Sequence, residues 1–203
     1  VNPALKPLLI VESFFRKTSL PTVTMPVSSM LHDFLKEECA DDVVSEYDLG
    51  PFDISVQTLQ LTFVDKLYAL NSYHMRNRME ARSRHLYDLH KILPHIKFDE
   101  EFFGLLRELG EYERNEFARS GKFADFDPSN LTEYLREIMS VNAYRDDYES
   151  NTLPLLFRKV SYEDTVHSLG YALNKIDEME EGEFMMDVIA ELRISPCRRT
   201  AKA

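Results

Sequence analysis

Residues 51–70 read PFDISVQTLQLTFVDKLYAL, and the hydrophobic period changes partway along them. Pro51 to Val56 is short and β-like. From Thr58 the period becomes 3.6, and Leu59, Phe63, Lys66, Leu67 and Leu70 fall on one helical face. Upstream, Leu8 to Val11 is an apolar, partly β-branched run that reads as a buried strand interrupted by Glu12. Thr22 to Met25 reads as a second extended piece ended by Pro26, Met30 to Glu38 has helical spacing, and Asp41 to Gly50 is acidic and loop-like.

Downstream, the pattern is helical to the end. Ser72 to Arg82 is a polar, Arg-rich connection with no core pattern. A second helix carries His85, Leu86, Leu89, Ile92 and Leu93, and Pro94 stops it. Asp99 can cap a long helix with Phe102, Phe103, Leu106, Leu109 and Phe117 inward and Gly121 past its end. Asp127-Pro128 places an N-cap before a proline and starts a helix whose stripe is Leu131, Tyr134, Leu135, Ile138 and Val141. Ser161 with Asp164 resembles a capping box ahead of Val166, Leu169, Leu173 and Ile176. A last apolar turn runs Phe184, Val188, Ile189 and Leu192, before a short basic tail. Few strands followed by many helices means α+β rather than α/β. The organisation expected is a β-containing piece over 1–58, a helical pair over 59–96 and a C-terminal helical domain over 97–203.

The 203 residues are 44% hydrophobic and 29% charged, which supplies ample core material and excludes a long disordered or low-complexity chain. No apolar run approaches the ~18–20 residues of a membrane span. The net charge of −11 argues against a generic DNA coat or a membrane-surface binder. Cys39 and Cys197 build neither a disulfide framework nor a zinc knuckle, so a reducing compartment, the cytoplasm, is expected. P-loop, G-x-S-x-G, G-x-G-x-x-G and H-E-x-x-H patterns are missing from the sequence.

Three residues can carry chemistry. Glu12 lies in an apolar strand, where an ionised carboxylate must face water, a cation or a partner. A strand-borne carboxylate suits Mg²⁺, and an edge glutamate pointing at water is the plain alternative. Lys66 sits in an apolar stripe. It can snorkel, or it can hold a phosphate as a point charge. Asp65 beside it points about 100° away and reads as solvated. Asp88 follows Lys66 by one polar connection, so paired helices could bring the two together. The carboxylate then orients the ammonium, or the pair merely fixes helix register. Arg76, Arg78, Arg82 and Arg84, offset only by Glu80, reverse the local sign of charge. They can receive a triphosphate or an RNA backbone, or form a solvated, salt-bridged face. The acid pairs Asp41-Asp42 and Asp146-Asp147 read as solvated.

Leu9-Ile10-Val11-Glu12, Leu61 to Leu70 (LTFVDKLYAL) and Ser83 to Leu89 (SRHLYDL) resemble, in order, the second half of the AbiEii/AbiGii nucleotidyltransferases of type IV toxin–antitoxin and abortive-infection systems. Asn142 to Val160 and then Ser161-Tyr162-Glu163 resemble that family's C-terminal region. The resemblance implies a partial polymerase-β-like sheet followed by helices. It implies transfer of a nucleotide from an NTP, with Mg²⁺, onto an RNA acceptor such as tRNA, and a cognate antitoxin as partner. By position, Glu12 matches a strand-borne metal carboxylate, Lys66 a lysine on the nucleotide phosphates, Asp88 the acid of the last motif, and Arg84 a weaker phosphate contact. The family's Gly-rich turn with two further carboxylates has no counterpart before Glu12. The chain therefore resembles the C-terminal part of such a protein and is expected to be inactive alone. A non-catalytic helical interaction module, either a decayed toxin or an antitoxin-binding domain, is the rival reading. Unpaired strand edges further predict self-association.

Overall fold

The computed structural model describes residues 21–121, 123 and 126–193; side chains of 180–193 are outside that description. Glu12, the expected strand at Leu8 to Val11, the basic tail and the 184–192 side chains therefore lie outside the described residues. What is described is α+β, as the change of period requires, and it falls into two compact units divided between Thr62 and Phe63.

In the first unit, β1 (Thr22–Val27) pairs antiparallel with β2 (Phe52–Gln57), Thr22 facing Gln57 and Val27 facing Phe52. Between them lie α1 (Met30–Glu37) and α2 (Asp41–Glu46). Two expectations need correction. Pro26 does not end β1 but stands inside it opposite Asp53, tolerated because a two-stranded ribbon leaves an open edge. The acidic stretch from Asp41 is not all loop. Asp41 and Asp42 occupy the first turn of α2, where negative charge suits the helix N-terminus. With only Val43 and Val44 apolar, six residues form no stripe that a periodicity could reveal.

The second unit is helical. After α3 (Leu59–Met75) come α4 (Arg84–Ile92), α5 (Glu100–Ser120), α6 (Leu131–Ser140), the short turn α7 (Arg145–Asp147) and α8 (Tyr162–Arg193). Thr58 caps α3, its hydroxyl accepting from the Leu61 N–H at 3.2 Å. The helix runs past the expected limit at Ser72, because Asn71 and Ser72 are buried, as are Phe63, Leu67 and Leu70. Tyr144 secures its far end by donating to the Leu70 carbonyl at 2.6 Å. Asp65 is partly buried rather than fully solvated.

The expected caps are in place. The Asp99 carboxylate accepts from the Phe102 N–H at 3.1 Å, and Gly121 closes α5 in the left-handed conformation (φ 63°). Asp127 accepts from the Ser129 N–H at 3.0 Å, over a 3₁₀ turn, Pro128–Asn130, that precedes α6. Ser161 and Asp164 form a reciprocal box at the start of α8, with Asp164 N–H to Ser161 Oγ at 3.1 Å. Val141 departs from its expected stripe: it is the exposed C-cap of α6, one residue past the last helical turn. The 166–176 stripe and the final apolar turn belong to one continuous helix, α8. It packs on α4, where His90 Nδ1 meets Ser168 Oγ at 2.7 Å, and on α6.

Candidate nucleotide site

Lys66 Nζ donates to Asp88 Oδ2 at 2.7 Å, joining α3 to α4. The lysine is 18% exposed and the aspartate 35%, so the pair is partly reachable from solvent. Lys66 is held there because Phe63, Leu67 and Leu70 on the same face are buried and draw its stem inward. An ammonium has three donors, and Asp88 occupies one of them.

His85 lies beside this pair. Its ring is parallel to that of Tyr73 (7°, centroids 5.8 Å apart), and both of its ring nitrogens are buried with no partner among the described residues. Burial first, then the positive charges of Lys66, Arg84 and Arg82, push its pKa down to about 4 against the opposing pull of Asp88. The ring is therefore neutral at pH 7.

The basic residues separate into two sets. Arg82 lies over the Tyr73 ring at 4.6 Å, and exposed Arg84 donates to the Ala81 carbonyl at 3.1 Å. Arg76 lies over the Phe117 ring at 4.9 Å. Among the described residues neither Arg76 nor Arg78 makes an ion pair.

The loop bearing these arginines is fixed by a residue that the sequence reading set aside as solvated. Asp147 accepts from three consecutive backbone N–H groups, Ala81 at 2.6 Å, Arg82 at 3.1 Å and Ser83 at 2.9 Å. Asn151 donates to it as well, at 2.7 Å. Ser83, at the N-cap position of α4, makes no capping bond with its own side chain. Its hydroxyl instead meets Thr152 Oγ1 at 2.7 Å, in the π-helical turn Tyr148–Thr152. A carboxylate from 64 residues downstream thus caps α4, where the helix N-terminus favours negative charge. Burial acts to raise the Asp147 pKa, but the hydrogen bonds from Ser83, Ala81 and Asn151 outweigh it and hold the carboxyl below the usual aspartate value.

Of the four residues singled out from sequence, Lys66 and Asp88 are brought into contact. Arg84 is near enough to act on His85 but is bonded to its own loop, and Glu12 is outside the described residues. By spacing alone His85 belongs to the apolar stripe of α4, and the sequence gives it no role at the site. Nothing local in the sequence marks Asp147, because every backbone group it binds is more than sixty residues away. Among the described residues no group of three His, Cys, Asp or Glu side chains is arranged to hold a metal ion, and no helix is long and apolar enough to cross a membrane.

A family model described as the nucleotidyl transferase AbiEii toxin of a type IV toxin–antitoxin system matches residues 5–166. That is well over half of the chain. No curated protein and no solved structure matches it.

Proposed function

We propose, from the premise that the chain belongs to the AbiEii nucleotidyltransferase toxin family, that Lys66 grips the phosphates of an NTP while Asp88 aims it. The reaction is attack of an RNA hydroxyl, with tRNA as the proposed acceptor, on the α-phosphate. Pyrophosphate leaves, and its negative charge grows as the bond breaks. A fixed ammonium near those oxygens stabilises the transition state more than the ground state. Two of the three Lys66 donors remain for phosphate oxygens, and Arg84 has further N–H groups beyond the one on Ala81. A neutral His85 adds no competing positive charge to the site.

The observation that carries this reading is the 2.7 Å bond between Lys66 and Asp88 at a solvent-reachable position, rather than deep in the core. Mg²⁺ accompanies the NTP in this proposal. Glu12 is the carboxylate proposed to hold it. A cognate antitoxin is the proposed protein partner.

The test uses the product of the full reading frame, each α-labelled NTP and total tRNA. Lys66→Ala is expected to lower label transfer by at least a hundredfold with an unchanged circular dichroism spectrum, and Asp88→Asn by tenfold or more. A Lys66→Ala protein that labels RNA at the wild-type rate removes the lysine from the chemistry and the proposal with it.

A further inference from the structure

Outside the Lys66–Asp88 pair, a cavity of about 450 Å³ is lined by Arg76, Arg78, Glu116, Ser120 and Phe123. Its chemistry is anion-binding and aromatic. Arg78 and Arg76 are exposed guanidiniums with no carboxylate paired to either among the described residues. Among the described lining residues the one carboxylate, Glu116, is already paired with Arg119 at 2.9 Å. Ser120 gives its hydroxyl proton to the Phe117 carbonyl at 2.7 Å, which leaves the arginines as donors to the space among the described lining residues.

Two backbone features shape this wall. Asn77, between the two arginines, is left-handed (φ 51°), a conformation asparagine tolerates, and it turns the chain sharply where Arg76 and Arg78 leave it. Phe123 is also left-handed (φ 58°), which a bulky residue rarely adopts, and it is 36% exposed. It stands edge-on to Phe117 at 5.5 Å, while Arg76 covers the Phe117 ring at 4.9 Å. A left-handed, exposed aromatic costs backbone strain, and this one stands beside two guanidiniums that pair with no carboxylate among the described residues. The chain as a whole carries a net charge of −11, so a local cluster of arginines is a favoured contact for a polyanion.

We propose that this cavity binds one nucleotide unit of a single-stranded RNA, Arg76 and Arg78 on its phosphate and Phe123 stacked on its base. Guanidiniums match phosphate oxygens bidentately, and an exposed ring stacks any base. Arg76 follows the last residue of α3, ten residues on from Lys66, or roughly 15 Å along a helix rising 1.5 Å per residue. About four stacked nucleotides at ~3.4 Å each span that length. The cavity would thus hold the acceptor strand a few nucleotides from its reacting end. This last placement rests on the proposed transfer reaction; the binding itself does not.

The test is equilibrium binding, without turnover, of a 5′-labelled 12-nucleotide single-stranded RNA to the full-length protein at several salt concentrations, with AMP as competitor. Arg78→Ala and Phe123→Ala are each expected to weaken RNA binding about tenfold. The Arg76→Ala/Arg78→Ala double variant should also lower the slope of log affinity against log salt by about 0.7, the value for one phosphate contact on a single strand. Thermal melts check that the variants fold. Competition by millimolar AMP places a free nucleotide in the cavity; its failure, with the variant effects intact, restricts the site to nucleotides within a strand. Wild-type RNA affinity and salt slope in all three variants overturn the proposal. Lys66→Ala should retain the Arg78-dependent binding, so a failure of transfer and a failure of this site give different patterns.

Discussion

Asp147 shows how much one side chain can fix. Its carboxylate takes the Ala81, Arg82 and Ser83 N–H groups together, and Ala81 is itself left-handed (φ 57°), a geometry that needs holding. Hydrogen bonds to a charged acceptor contribute roughly 1.5–3 kcal/mol each, not additively. Asp147→Ala is therefore expected to cost on the order of 3 kcal/mol in urea unfolding, and Asp147→Asn less, since an amide oxygen still accepts. A loss under ~0.5 kcal/mol for the alanine variant would show that water replaces the carboxylate freely. Because Asp147 tethers the arginine loop, the same variant should also weaken RNA binding. At this scale Lys66 and Asp88 were legible. A charged residue inside an apolar stripe is a local anomaly, and a second one a short connection later is its natural partner. Asp147 was not, because the three groups it holds in the arginine loop are backbone N–H groups, which leave no mark in sequence, and they are distant along the chain. His85 was read as a stripe residue because its position on α4 fits one. Only the three-dimensional neighbourhood shows that its nitrogens are unpartnered.

Helix α5 carries a test of how closely elements approach. Gly110 and Gly104 lie on the same helix, where alanine ordinarily gains about 1 kcal/mol over glycine. At Gly104 a Cβ would meet nothing within 4 Å. At Gly110 it would lie 2.6 Å from the Tyr68 hydroxyl and 2.7 Å from the Pro128 Cβ. Tyr68 Oη is anchored by donating to the Leu106 carbonyl at 3.0 Å, and the proline ring cannot rotate away. Overpacking of this kind costs ~1–3 kcal/mol, which outweighs the gain in propensity. Gly104→Ala should thus raise the melting temperature and Gly110→Ala lower it; equal shifts would mean that Tyr68 and Pro128 yield. The helices and caps here were legible because their signals are local. Asp99, Asp127, Ser161 and Gly121 each act within three residues, and Phe102, Phe103, Leu106, Leu109 and Phe117 are buried as their spacing requires. The extension of α3 was hidden because its last turn buries polar side chains, Asn71 and Ser72, which periodicity scores as surface. The Gly110 contact was hidden too, since a missing Cβ is informative only against the atoms that would meet it.

For the whole molecule, stability should depend on pH through His85. An unperturbed histidine titrates near 6.5, and in the folded chain its pKa is about 4. Between those values the unfolded chain binds a proton that the folded one refuses. Its contribution is therefore complete above about pH 6.5 and is lost as pH falls toward 4. The net charge of −11 works the other way, since mild acid relieves general self-repulsion in the compact state. A substitution separates the two. Between pH 7.5 and 5.0, wild type should lose about 2 kcal/mol more unfolding free energy than His85→Gln, because the diffuse charge is common to both. Asp147 does not confuse the window: its folded pKa is depressed, so its contribution is lost only as pH falls below the ordinary aspartate value of about 3.9. The site should respond as well. Protonated His85 would place another positive charge among Lys66, Arg82 and Arg84 and draw Asp88 away from Lys66. Transfer by wild type should then fall more steeply than transfer by His85→Gln as pH approaches 4, each normalised to its own pH 7.5 rate. Parallel profiles in both unfolding and transfer would show that the ring stays hydrated and charged in the fold, and that Lys66 and Asp88 hold each other without reference to it.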